Sequence, residues 1–143
     1  MSERNVELMR RMVAAYNARD VGAAIACCDP HGEFRPLLSA MLGGAVYHGH
    51  DGLRQWFRDL SDACGDEIRA EPEAYFDLGG EQTLSFNTFR GRGRQSGAEV
   101  AMPVTLVARS RNGLLVYIKG HAHRQDALRD LGVTEDELQP IAP

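Results

Sequence analysis

The residues best suited to proton chemistry sit near the end of the chain, where Leu114, Val116, Ile118, Gly120 and Ala122 alternate with Tyr117, Lys119, His121 and His123. In a strand, alternate side chains share a face, so the tyrosine, the lysine and both histidines stand on one side. Histidine changes charge near neutral pH, with an ordinary pKa of about 6.5, which makes His121 and His123 candidate acid/base groups if that face lines a pocket. A face turned to solvent gives them no such role. Lys119 or Arg35 could stabilise an enolate, as a fixed cation does opposite developing negative charge. Tyr16 and Trp56 are candidates for orienting a ligand through their rings.

Two His-x-His pairs, His48 with His50 and His121 with His123, have the i, i+2 spacing that a strand would turn toward one metal ion. No Cys-x-x-Cys or His-Glu-x-x-His pattern accompanies them, so no metal is expected, and the reading for His48 and His50 is a turn before a helix. Asp29, Glu33 and Asp77 lie near expected strand ends, where a half-buried carboxylate can act as a base and an exposed one cannot. There is no nucleophile elbow, phosphate-binding loop or glycine-rich dinucleotide turn, so no nucleotide cofactor is expected.

The whole-chain properties narrow the classes further. At 143 residues, 43% hydrophobic and 25% charged, the chain suits one globular domain, residues 1–143. A net charge of −4 opposes nucleic acid, and the short basic run Arg90-Gly91-Arg92-Gly93-Arg94 reads as a solvated turn. The odd cysteines Cys27, Cys28 and Cys64 imply no disulfide framework. With no apolar window of membrane-spanning length, a cytoplasmic, membrane-free setting is expected.

The elements that must carry these residues are legible from periodicity. Val6, Met9, Val13 and Tyr16 mark a helix over 3–19, and Val21, Ala24, Ile25 and Cys28 mark a short second one ended by Asp29-Pro30. Short strands are expected at 33–35 and 45–47. Asp51 caps a third helix whose stripe is Leu53, Trp56, Phe57 and Leu60, stopped by Gly65. From residue 67 the period becomes two, with strands at 67–77, 82–92, 98–110 and 114–123 separated by turn residues that include Gly79-Gly80 and Asn112-Gly113. A closing helix over 124–131 ends at Gly132, and Thr134 with Glu137 starts a last turn in the tail 134–143.

Helices first and strands afterwards give an α+β fold. A long antiparallel meander twists and curls, and helices with single apolar stripes cover its concave face as a cone, leaving a tapered pocket where they do not plug it. The expected lining is Tyr16, Phe34, Trp56, Phe86, Thr88 and Met102, with Tyr117 and Lys119 added if the last strand turns its polar face inward. Plain core packing is the alternative for each aromatic.

Several blocks then carry a family resemblance. Tyr16-Asn17-Ala18-Arg19-Asp20, the run Tyr47-His48-Gly49-His50-Asp51-Gly52-Leu53-Arg54-Gln55-Trp56, the hairpin Gly91 to Val100, Asn112-Gly113 and Arg124-Gln125-Asp126-Ala127-Leu128 resemble, in order, the SnoaL-like family of the nuclear transport factor 2-like superfamily. The resemblance implies a cystatin-like roll, commonly a homodimer formed through the sheet, and a superfamily that holds isomerases, dehydratases, epoxide hydrolases and polyketide cyclases beside non-catalytic modules. It places Arg35 where ketosteroid isomerases carry an aspartate base, and Tyr16 at their hydrogen-bonding tyrosine. It also sets His121 and His123 where many relatives have tyrosine and aspartate, and Ala108 at a frequent tryptophan, which would widen the cavity. Two functions are therefore expected: a domain binding a small hydrophobic or polyketide-like molecule, as an acid/base isomerase, cyclase or hydrolase would, or a non-catalytic dimeric ligand-binding or interaction module.

Overall fold

The computed structural model of the chain describes residues 2–38, 44, 46–64, 67–92 and 97–141. Two helices come first, α1 over Ser2–Ala18 and α2 over Val21–Ala26, and α3 over Gly49–Cys64 follows the first two strands. The strands are β1 Cys28–Arg35, β2 Tyr47–His48, β3 Arg69–Gly79, β4 Gln82–Arg92, β5 Glu99–Arg111 and β6 Leu114–His121, followed by α4 over Arg124–Leu131. All six strands form one curved sheet in the order β2-β1-β6-β5-β4-β3, so the α+β reading holds. Every pairing is antiparallel except β1 with β6, which run parallel.

Several boundaries differ from the periodicity. The second helix stops at Ala26, and Cys28, Asp29 and Pro30 belong to β1, because Leu115 of β6 donates its N–H to the Cys27 carbonyl (2.9 Å) and draws the chain into the sheet. Helix α3 opens at Gly49 (φ +66°), two residues before Asp51. Asp51 instead sits in the first turn, where a carboxylate suits the positive end of the helix, and pairs with Arg54 at 2.7 Å. The final strand ends at His121, and His123 is the residue before α4. Ala45, Gly65, Gly93, Arg94, Gln95 and Ser96 lie outside the described residues.

The sequence Tyr16-Asn17-Ala18-Arg19-Asp20 is the joint between α1 and the sheet, and Asn17, Arg19 and Asp20 each hold a different part of it. Arg19 takes a left-handed conformation (φ +55°), which ends α1 with the Arg19 N–H on the Tyr16 carbonyl and the Asp20 N–H on the Ala15 carbonyl. Its guanidinium donates to the carbonyls of Tyr16 (2.7 Å) and Ile68 (2.9 Å), which offsets the backbone strain. The Asn17 amide donates to the Ala70 carbonyl (2.9 Å) and accepts from the Ala70 N–H (2.7 Å). Asp20 then caps α2 by accepting from the Ala23 N–H.

These bonds matter because β3 is an edge strand. Outward backbone groups of Ala70 and Tyr75, and of Ile68 just before the strand, are met by groups outside the strands: Ile68 by Arg19, Ala70 by Asn17, and Tyr75 by Ile141. Ile141 exchanges both backbone bonds with Tyr75, at 2.6 and 3.3 Å. A bulge between Pro72 and Ala74 lets Ala70 and Tyr75, five residues apart, both face inward.

Side chains from α1, α2 and α3 pack on the inner face of the sheet in one large core that includes Val6, Met9, Leu53, Trp56, Leu115 and Ile118. Helix α4 does something periodicity does not anticipate. It crosses the outer face, where Ala127 and Leu128 pack on Phe76, Leu84, Phe86 and Val107. Both faces of β4 are therefore buried, while β6 keeps a half-open outer face.

Candidate functional site

Between the helices and the inner face of the sheet lies a cavity of about 590 Å³. Met9, Met12, Val13 and Tyr16 of α1 form one wall, and Trp56 and Leu60 of α3 form the next. Ala70, Phe89, Val104, Leu106 and Ile118 supply the sheet floor, and Pro36, Leu37 and Leu38, just after β1, close one side. The volume falls inside the range of about 300–1,000 Å³ typical of small-molecule sites.

The aromatic wall is continuous. Trp56 lies 6.1 Å from Tyr16 and 6.3 Å from Tyr47, ring centroid to centroid, and Tyr16 lies 5.5 Å from Phe89. Phe34 is fully buried and stacks on Trp56 at 6.3 Å, so it supports the wall from behind without lining the cavity.

Polar atoms gather at the mouth. The Tyr47 hydroxyl donates to Asp59 Oδ2 (2.7 Å) and Gln55 Nε2 donates to Asp59 Oδ1 (2.7 Å). These bonds, Tyr47 first, hold the Asp59 carboxyl below its ordinary pKa, so it is ionised at neutral pH. Asp62 follows one helical turn later on the rim, and no Lys, Arg or His lines the cavity among the described residues. Asp59 is three residues beyond Trp56, at the border of the apolar stripe of α3. A carboxylate at that spacing was the signal in the sequence, as was the tyrosine of the Tyr47 to Trp56 block.

The candidates on β6 fall elsewhere. Ile118 pairs with Ala108 and faces the core, so alternation turns Tyr117, Lys119 and His121 to the outer face, away from the cavity. This corrects the acid/base expectation for His121 within the cone. His121 is buried (9% exposed), with Nε2 3.7 Å from Asp130 Oδ2 on α4. Burial holds its pKa below the ordinary value, with Lys119 acting the same way and Asp130 and Asp126 opposing. His123 is exposed beside a second hollow of about 300 Å³ that also meets Phe86, Pro103 and Arg124. Tyr117 carries the Arg109 guanidinium over its ring at 4.9 Å.

Arg35 is likewise off the cavity, exposed and bonded to Glu33 (2.7 Å) on the outer face of β1. Phe86 and Thr88 face outward: Phe86 packs on Phe76 (4.9 Å) beneath Arg124 (3.6 Å), and Thr88 bonds Glu73 (3.1 Å). Met102 faces inward and packs on the core outside the cavity lining. Ala108 is fully buried in that core and is not among the residues that line the cavity. Of the sequence candidates, Tyr16 and Trp56 alone line it.

The remaining motifs have structural partners. His48 is exposed on β2, whereas His50 lies in α3 with Nε2 2.9 Å from the Cys28 carbonyl, so the pair does not converge. No group of three or more metal-ligating side chains occurs among the described residues. Asp29 and Asp77 accept from the N–H groups of His31 and Gly79, as turn carboxylates do. Arg90 pairs with Glu71 and Arg92 with Glu99, which neutralises the described part of the basic run. Cys27 and Cys28 are buried free thiols. Among the described residues no helix is long and apolar enough to cross a membrane.

A family model described as a SnoaL-like domain matches residues 9–118. Solved structures share the fold along most of the chain. An NTF2-like protein of unknown function from Burkholderia pseudomallei K96243 is 23% identical with a TM-score of 0.74, over 90% of this chain and 97% of that one. A hypothetical protein with a ketosteroid isomerase-like fold from Catenulispora acidiphila, solved in complex with trimethylamine, is 16% identical with a TM-score of 0.70, over 91% and 95%. A candidate polyketide cyclase from Xanthomonas campestris pv. campestris is 12% identical with a TM-score of 0.72, over 90% and 96%. A comparison with curated proteins yields no match.

Proposed function

Because this chain belongs to the SnoaL-like domain family and holds an apolar cavity between its helices and sheet, we propose that it binds a small hydrophobic molecule there. The observation that carries the reading is the lining: among the described residues it is aliphatic and aromatic side chains, with Tyr16, Tyr47, Asp59 and Asp62 the residues that bring a polar side-chain group. Burying an apolar ligand against such walls contributes about 25 cal/mol for each Å² removed from water. That the C. acidiphila protein was solved with trimethylamine supports the reading, since a protein of this fold takes a small organic molecule.

Binding is favoured over histidine-driven catalysis. A base must come within hydrogen-bond reach of its substrate, and His121, His123 and Arg35 lie off the cavity. The homodimer expected through the sheet is retained, with its contact on the half of the outer face that α4 leaves open, around Tyr117, Lys119 and Arg109.

The test uses the neutral fluorophore N-phenyl-1-naphthylamine. Saturable emission enhancement is expected for the wild-type protein, and quenching of Trp56, the one tryptophan in the sequence, reports the same event. Leu106→Trp fills the floor and should abolish the enhancement while circular dichroism stays unchanged. Undiminished enhancement in that folded variant would overturn the assignment of ligand to this cavity.

A further inference from the structure

We propose that the cavity selects a hydrophobic ammonium compound, its apolar body among the aromatic and aliphatic walls and its cationic head at Asp59 beside Tyr47. The inference rests on the binding reading above and names the class of ligand.

The electrostatics of the mouth point one way. Asp59 is hydrogen-bonded by two neutral donors, Tyr47 and Gln55, and forms no ion pair among the described residues; the neighbouring Arg58 acts on it through charge alone, with its guanidinium bonded to Gln55 (2.8 Å), so the carboxylate is fixed in place and not paired with a cation. An organic anion entering here would lose hydration against a like charge. A neutral ligand would leave the carboxylate facing an apolar body, which costs free energy as water is displaced.

The aromatic wall suits a cation as well. Tyr47 joins the carboxylate to the wall directly: its hydroxyl holds Asp59 and its ring stacks on Trp56 with the planes 19° apart. An ammonium beside these rings gains attraction from their faces in addition to the carboxylate. On the far side of the wall the Arg19 guanidinium already lies over Tyr16 at 5.1 Å, which disfavours a second cation there and leaves the Asp59 corner for the head. A metal ion fits poorly, since hard cations demand several oxygen ligands and no group of three metal-ligating side chains occurs among the described residues.

Three ligands with one apolar body separate the arms: 1-naphthylmethylamine, 1-naphthalenemethanol and 1-naphthaleneacetic acid, titrated at pH 7 by calorimetry and by Trp56 quenching. The amine should bind about tenfold more tightly than the alcohol, as a charge-assisted bond plus a cation–π contact predicts, with the acid weakest. Asp59→Asn keeps an acceptor for the Tyr47 hydroxyl and should erase the amine's advantage while leaving the alcohol unchanged. Equal binding of the three, preference for the acid, an amine advantage that survives in Asp59→Asn, or rejection of all three while N-phenyl-1-naphthylamine still binds, overturns the ammonium assignment and leaves the cavity reading standing. Failure of every ligand, N-phenyl-1-naphthylamine included, overturns both.

Discussion

Replacing Asn17 by alanine removes the amide that meets both outward backbone groups of Ala70, and the size of the effect can be worked from the geometry. Two hydrogen bonds of 2.7 and 2.9 Å are lost, each worth about 1 kcal/mol net. Ala70 is nearly buried (4% exposed), so its N–H and carbonyl are poorly compensated by water. Alanine returns about 0.5 kcal/mol of helix propensity near the end of α1. The balance is a loss of about 1.5 kcal/mol, or a fall in Tm of about 6 °C for a domain of this size. Amide hydrogen exchange supplies the decisive reading, because the Ala70 N–H should be protected in the wild type and exchange at least tenfold faster in Asn17→Ala. Asn17→Asp keeps the acceptor and sets a carboxylate against the Ala70 carbonyl. Its folded-state pKa should therefore rise above the unfolded value, so the variant loses stability as pH rises through the carboxylate range. An Asn17→Ala protein with unchanged Tm and a still-protected Ala70 amide would refute the clamp. Lowered Tm with full protection at Ala70 would place the cost elsewhere.

Other outcomes follow from the same contacts. A Cβ at Gly120 would meet Leu37 N at 3.0 Å and Leu37 Cβ at 3.1 Å, so Gly120→Ala should cost about 1–3 kcal/mol and weaken N-phenyl-1-naphthylamine binding by moving the cavity side wall. Unchanged affinity would show that the wall does not respond. Tyr47→Phe should raise the Asp59 pKa toward its ordinary value, followed by carboxyl carbon NMR, and an unmoved titration would show that Tyr47 does not hold the charge. Burial lowers the His121 pKa in the folded state, so the unfolded chain takes up a proton first on acidification. Stability should be complete above about pH 6.5 and fall below it, levelling off under the folded-state pKa, and His121→Gln should flatten that segment of a denaturant-derived pH profile. An equal slope in the variant would remove His121 as its source. Leu53→Ala, at a fully buried position, should cost about 2–5 kcal/mol by urea unfolding, and a loss below 1 kcal/mol would contradict its place in the core.

Helices α1 and α3 were legible because each carries one apolar stripe against one surface, which is the arrangement a 3.6-residue period reports. The strands were legible as strands, but their faces were not. On β4, Phe86 and Phe89 point to opposite sides and both are buried, since α4 covers the outer face, so no polar alternation distinguishes inside from outside. Choosing Phe86 and Thr88 in place of Phe89 is the one-residue error such a strand invites. On β3 the bulge after Pro72 changes the parity midway, which no period of two can express. On β6 alternation was clear, and only the direction was open; the pairing of Ile118 with Ala108 decides it. The parallel contact of β1 with β6 joins segments far apart in sequence and leaves no local mark. Asp59 is not legible in the sequence because an acidic residue bordering an apolar helix stripe reads as solvated surface until the neighbouring strand brings Tyr47 to it.

The edge of β3 also imposes an order on assembly. A growing chain has already made Asn17 and Arg19 when β3 emerges, so Ile68 and Ala70 can find their partners at once. Tyr75 must wait for Ile141, through the whole of β4, β5, β6 and α4. For that interval one half of the strand is a template for any other extended chain. The first half of the strand is thus closed by α1, and the second half only once Ile141 has been made.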